Sequence, residues 1–493
     1  MRKTLYTLFT AGLLLLSNAC DNGFADINTN PNVPNTVTPN LLLPNIIRST
    51  VNENMSVAWG IGNLVVQHTA KIQFVNEDRY LWGEQNGIWN TMYNTMRDVD
   101  NLHRIASESE PVQKNYQGIA LVLKSWMFSL ITDAYGDVPY SEATKAREGN
   151  FFPKFDTQEE IYAGILRDLA EANNLLSTAN EPVTGDILYG GNVTRWKKLA
   201  NSLRVRYLMR ISNRRNVAAD LQAIVGNPTQ NPIFENNTDN AALRYEPTVP
   251  NQFPLYTSRV GSVDEIRLSK TLADRLIALN DPRIRVFARP TVATANTANP
   301  QWVGVPNALD DNAALQFNGG AQNISRIGPA FYIDGFGTPT EADRDIARGI
   351  VMTYAELQFT LAEAAQKNLL AGGTTAQTHY ENGIRASFDF YRTAMPAGYL
   401  TQPGVAFAAD QALQLIGTQK WIAMFFSGLE AWFDWRRTGI PTITPGPSNL
   451  NSNRVPVRFL YPSSAFNLNR TALDVAITRQ GPNDINTPVW WDK

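Results

Sequence analysis

The chain has 493 residues, of which 43% are hydrophobic, 10% aromatic and 18% charged, and its mean hydropathy is −0.25. That balance is too apolar for a disordered chain and too polar for a protein of many membrane spans. Forty-three basic against 45 acidic residues leave a net charge of −2, which provides no electrostatic footprint for nucleic acid, and three histidines and one cysteine leave little for zinc, haem or a Cys-His nucleophile.

Residues 1–19 read as a secretory signal peptide. Arg2 and Lys3 form a basic start, and the apolar stretch Leu5 to Leu16 has the length of a signal core, short of the ~20 residues a membrane span requires. Cys20, the only cysteine, follows Ser17, Asn18 and Ala19, a placement that resembles a bacterial lipobox. Lipidation at Cys20 would anchor the chain to a membrane surface. Residues 20–39, rich in Asn, Pro and Thr, are expected to form a flexible tether.

From residue 40 onward, apolar residues recur at helical spacing. Ile119, Val122, Trp126 and Leu130 form one stripe. Ile161, Ile165, Leu169 and Leu176 form another, opened by Thr157 with Glu160 three residues later as a capping box. Trp196, Leu199, Leu203 and Tyr207 line a third helix. Ile350, Tyr354, Leu357, Leu361 and Ala364 line a fourth, Tyr380, Ile384 and Phe388 a fifth, and Leu413 to Gly428 a sixth. Such blocks, joined by short Gly- or Asn-containing turns, imply a mainly α fold of tetratricopeptide-like stacked helix hairpins. The repeat core spans about 40–226 and 346–439. Between them, at about 227–345, Pro, Asn, Gly and Thr runs replace the helical signal, with only Leu268 to Leu279 helical. This is expected to be a large irregular insert that carries function.

Several segments in order resemble the SusD/RagB family of outer-membrane nutrient-binding lipoproteins. They are Asp26-Ile-Asn-Thr-Asn-Pro-Asn32, Tyr135-Gly-Asp-Val-Pro-Tyr140, Trp196-Lys-Lys-Leu-Ala-Asn-Ser-Leu-Arg204 and Asn280-Asp-Pro-Arg283. Tyr354-Ala-Glu-Leu-Gln-Phe-Thr-Leu-Ala-Glu-Ala-Ala365, Gln419-Lys-Trp421, Glu430-Ala-Trp-Phe-Asp-Trp-Arg-Arg437, Arg458-Phe-Leu-Tyr-Pro462 and Val489-Trp-Trp-Asp-Lys493 follow. The resemblance covers nearly the whole chain. It implies one SusD-like body on a lipid anchor at the cell surface, capturing an oligomeric nutrient for a SusC-like, TonB-dependent barrel. Asp21-Asn22-Gly23 loosely resembles the family's surface-export tag.

Among eleven tryptophans, most fall on helical stripes and are expected in the core. Trp421, Phe425, Gly428, Trp432 and Trp435 read as one unbroken helical face, and Trp89 aligns with Met92, Met96 and Val99. Trp82, with Tyr80 and Phe74, sits in a polar loop, Trp302 lies in the insert, and Phe331-Tyr332 is flanked by glycine. These six are the candidate ligand contacts, because a ring without a stripe to join either pins its loop or presents its face to a sugar. Glu356 and Glu363 lie seven apart on one helix, and their apolar surroundings favour structural acids over a glycosidase pair. The calcium-loop mimic at Asp26, Asn28 and Asn30 lacks its glycine and its bidentate acid. No nucleophile elbow, phosphate loop or zinc-protease motif occurs, and no cofactor is implied. An oligosaccharide-binding protein is the leading reading. A peptide-binding member of the same uptake system and a surface glycoside hydrolase are its rivals.

Overall fold

The computed structural model describes residues 37–258, 263–333 and 339–493. Residues 1–19, read as a signal peptide, together with Cys20 and the calcium-loop mimic, lie outside the described residues. The first helix, α1 (Pro39–Val57), opens with proline at its first position, where a missing N–H costs nothing. A π-helical turn, Ala58–Gly62, continues it and leads to the short strand β1 (Thr69–Lys71).

Next come α2 (Asn86–Glu108), α3 (Lys114–Tyr135), α4 (Gln158–Leu175), α5 (Val193–Arg210) and α6 (Ala218–Val225). The capping box read at Thr157 and Glu160 opens α4. Each helix from α1 to α6 packs on its predecessor or successor, the stacking that an amphipathic hairpin needs to bury its second face. In α3 nearly the whole circumference is buried, as befits the central layer.

The insert is more ordered than its composition suggested. It holds β2 (Ala241–Arg244), β3 (Ile266–Leu268), α7 (Lys270–Ala278) and α8 (Asp311–Gln316). At its end lies α9 (Glu341–Ile346), followed by β4 (Arg348–Met352). Strand β2 pairs antiparallel with β4, and β1 with β3, Thr69 opposite Leu268. Long-range pairing of this kind supplies the order that local propensity lacks.

Helices α10 (Tyr354–Gln366), α11 (Ala376–Phe390), α12 (Ala412–Ala423) and α13 (Glu430–Thr438) resume the stack, and α5 packs directly on α10. Helix α14 (Ser463–Leu468) and α15 (Arg470–Gln480) lie near the end. Two sequence expectations change here. Ile350 belongs to β4 rather than to the fourth helix, because Thr353 is extended and caps α10 by accepting from the Glu356 N–H. The supposed single face from Trp421 to Trp435 is two helices: Phe426 and Gly428 adopt φ of 61° and 71°, which breaks the helix between α12 and α13. This turn meets the π-helical turn closely. A Cβ on Gly62 would fall 2.2 Å from the Gly428 carbonyl oxygen, so glycine is required there.

The core is knitted by buried ion pairs between repeats. Arg206 of α5 donates Nε and Nη2 to the two carboxylate oxygens of Glu356, both at 2.6 Å, and Arg437 of α13 grips Glu363 in the same way at 2.6 and 2.5 Å. Arg210 joins Asp133 of α3 at 3.1 Å and also Glu430. Glu356 and Glu363 are therefore structural acids, as their surroundings suggested.

Candidate functional site

The candidate rings lie on the loop after β1 and on the insert, which are joined in a small subdomain. Val305 bridges Ser269, Arg326 bridges Arg267, and Ile327 bridges Ala288, extending the β1–β3 pair sideways. Ala70, Ile72, Val75, Val305, Ala314 and Ile324 form a satellite core beneath it. Loop and insert are then fastened at Asp78. Its Oδ1 accepts from the Asn307 amide at 2.6 Å, and its Oδ2 from the backbone N–H groups of Ala308 and Lys71, both at 3.1 Å. Burial raises the Asp78 carboxyl to about 6 against these donors.

Four of the six candidate rings are closed off from ligand. Trp82 is only 7% exposed; its indole N–H donates to the Glu77 carbonyl at 2.9 Å, and its ring packs edge-on to Trp432 and Phe459. Tyr80 is buried at a positive φ of 64°. Phe331 is buried and stacks on Phe426 at 4.7 Å and 9°. Tyr332 is buried, and its carbonyl accepts from Arg289 at 2.7 Å. These rings pin loops to the scaffold, because distant aromatic residues complete a core around them.

The other two reach solvent. Phe74 is 71% exposed, held at a φ of 50° in a loop whose next N–H, on Val75, points at Asp311 Oδ1, 3.4 Å away. Trp302 is half-buried. Its indole N–H donates to the Ala288 carbonyl at 3.0 Å, and the Arg285 guanidinium lies 5.4 Å from the ring centre, so the ring is fixed in place. Sequence reasoning missed Trp59, half-buried in the π-helical turn and stacked on Phe426 at 6.1 Å. The glycines at 60 and 62 following it were the available signal, since π-turns often mark functional positions.

The subdomain's charged groups are committed to structure. Lys71 lies 2.8 Å from Glu77 and 3.5 Å from Glu265, and Asp264 pairs with Arg267 at 3.4 Å and with Arg326. His68 is buried, which lowers its pKa to about 3, and it packs against Trp421. It is neutral at physiological pH and unsuited to acid–base work. Among the described residues, no cluster of three or more His, Cys, Asp or Glu side chains could hold a metal ion, and no helix is long and apolar enough to cross a membrane. What the surface offers is the exposed Phe74 ring and the half-buried Trp302 ring.

Residues 31–462 match the SusD-like family described as starch-binding and associating with the outer membrane, and the chain belongs to that family. The fold is shared with solved structures over nearly full length. A SusD homologue of Bacteroides fragilis NCTC 9343 is 28% identical, with a TM-score of 0.78, covering 93% of this chain and 100% of its own. A chitin-binding protein is 26% identical, with a TM-score of 0.78 and coverage of 92% and 99%. An outer-membrane protein of Bacteroides vulgatus ATCC 8482, ascribed to nutrient binding, is 26% identical, with a TM-score of 0.80 and coverage of 93% and 100%. No curated protein matches the chain significantly.

Proposed function

We propose that this chain is a non-catalytic, cell-surface lipoprotein that captures oligosaccharide and delivers it to a SusC-like, TonB-dependent outer-membrane transporter. The observation that carries the reading is that Phe74 is exposed and Trp302 only half-buried, in loops pinned to the scaffold, in a chain whose family is starch-binding. Aromatic faces attract the polarised C–H bonds of a pyranose. A rigid base lets them do so without the entropy cost of ordering a loop. The chitin-binding relative directs attention to chitin fragments beside starch fragments. Lipidation at Cys20 would tether the body at the membrane, beside the barrel it serves.

Affinity electrophoresis of the purified body in gels containing starch or soluble chitin derivatives tests the reading, with product analysis of the same glycans after incubation. Retardation by at least one glycan without any shortening of it is expected. Release of shorter sugars would contradict the non-catalytic assignment.

A further inference from the structure

A cavity of about 680 Å³ opens on the helical scaffold, where the turn at 237–239, the start of β4 and the outer face of α11 meet. It contains no residue of the subdomain that carries Phe74 and Trp302. Its wall is built firmly. The Asn237 amide donates to the Ala386 carbonyl at 2.9 Å, and Asn240 Oδ1 accepts from the Tyr354 N–H at 2.6 Å. Half-buried Tyr354 and buried Phe390 contribute ring surface.

The charges in this wall are unevenly matched. Asp345 alone receives three guanidinium groups: Arg244 at 2.8 Å, Arg348 at 3.2 Å and Arg392 at 2.5 Å. Arg244 has a second acid in Glu341, whereas among the described residues Arg348 and Arg392 pair only with the shared one. Among the same residues the buried Arg348 Nε meets no hydrogen-bond partner. Burial, joined by the nearby Arg244 and Arg392, lowers the Arg348 pKa despite Asp345. On α11, Asn382, Arg385 and Asp389 follow at spacings of three and four, which puts them on one stripe. Arg385 is held by Glu381 at 3.1 Å.

We propose that this cavity is a second saccharide site, selective for a sugar that carries an acidic group, a carboxylate or a sulfate ester, whose oxygens bridge Arg348 and Arg392. Arg348 and Arg392 share a single carboxylate with Arg244, so an added anion would complete their pairing, and planar guanidinium forks suit its oxygens. Sugar hydroxyls both donate and accept, which matches the amide of Asn382 and the carboxylate of Asp389. The Tyr354 ring offers a face for the pyranose. The site is independent of Phe74 and Trp302, so loss of neutral-glycan binding on changing either leaves it standing.

Calorimetric titration of the purified protein with an oligogalacturonide, a sulfated oligosaccharide, a neutral oligosaccharide of equal length and inorganic sulfate tests the assignment, beside the variant Arg392→Gln. Saturable one-to-one binding of at least one acidic oligomer is expected. The variant should weaken that binding about tenfold, since it removes a charge-assisted bond, while its melting temperature stays near wild type because Arg392 is exposed. Three results would each overturn the proposal: equal affinity for the neutral oligomer at this site, binding of inorganic sulfate as tight as that of the acidic sugars, or full-strength acidic-sugar binding by a folded Arg392→Gln.

Discussion

Burial, rather than residue type, divides the aromatic candidates. Trp82 and Phe74 stand eight positions apart in one polar loop, yet the first is 7% and the second 71% exposed. Trp82→Ala is therefore expected to cost roughly 3–5 kcal/mol of stability through the cavity it leaves, whereas Phe74→Ala should stay within about 0.5 kcal/mol of wild type. Chemical denaturation of both variants checks this. A Trp82→Ala protein that unfolds like wild type would contradict the packing described. The sequence around Trp82 could not reveal its burial, because the rings that enclose it, Trp432 and Phe459, lie some 350 positions away and return only through the fold. The same holds for Phe331, whose stacking partner is Phe426. Phe74 and Trp302 remained legible as loop aromatics because nothing distant closes over them fully. Trp59 was obscured by lying at the end of a helical pattern.

At the scale of elements, the helix stripes and the capping box of α4 were legible because their periodicity and end chemistry are local. The break between α12 and α13 was not, since the spacing of Trp421, Phe425 and Trp432 mimics one continuous helix and the turn depends on Gly428 facing Gly62. The seven-residue spacing of Glu356 and Glu363 on α10 was legible, but their partners Arg206 and Arg437 come from α5 and α13. Glu363→Gln would leave the Arg437 charge buried with only Asp434 beside it and is expected to destabilise by about 3–5 kcal/mol. The pH dependence has a definite sign. Burial alone would raise the Glu363 carboxyl, but Arg437 and Lys367 hold it at about 2, below its ordinary 4.5. A depressed folded-state pKa contributes stability above the unfolded value, and that contribution is lost as pH falls from about 4.5 towards 2. Thermal melts between pH 6 and pH 2.5 should show wild-type protein losing stability across this window and Glu363→Gln losing less. Equal slopes for the two proteins would remove Glu363 from the acid response.

At the scale of the whole molecule, a helical stack of ion-paired repeats supports a subdomain in which insert and amino-terminal loop are tied together through β1, β3 and Asp78. The fold class followed from periodicity, whereas the order within the insert depends on strand pairs between segments about 110 and about 200 residues apart, beyond any local pattern. Anchoring belongs to this scale too. Because Cys20 is the only thiol and follows the segment read as a signal peptide, Cys20→Ala should move the protein from the membrane fraction to the soluble one, and unchanged fractionation would contradict lipidation there. The central claim, that the solvent-reaching rings of Phe74 and Trp302 capture oligosaccharide, is tested most directly by calorimetric titration of wild-type protein, Phe74→Ala, Trp302→Ala and the double variant with starch- and chitin-derived oligosaccharides, each folded state confirmed by its melt. Stacking worth on the order of 1 kcal/mol per ring predicts that each single change weakens binding about fivefold and the double change more. A double variant that binds at wild-type strength, or a wild-type protein that binds none of these glycans, would contradict it.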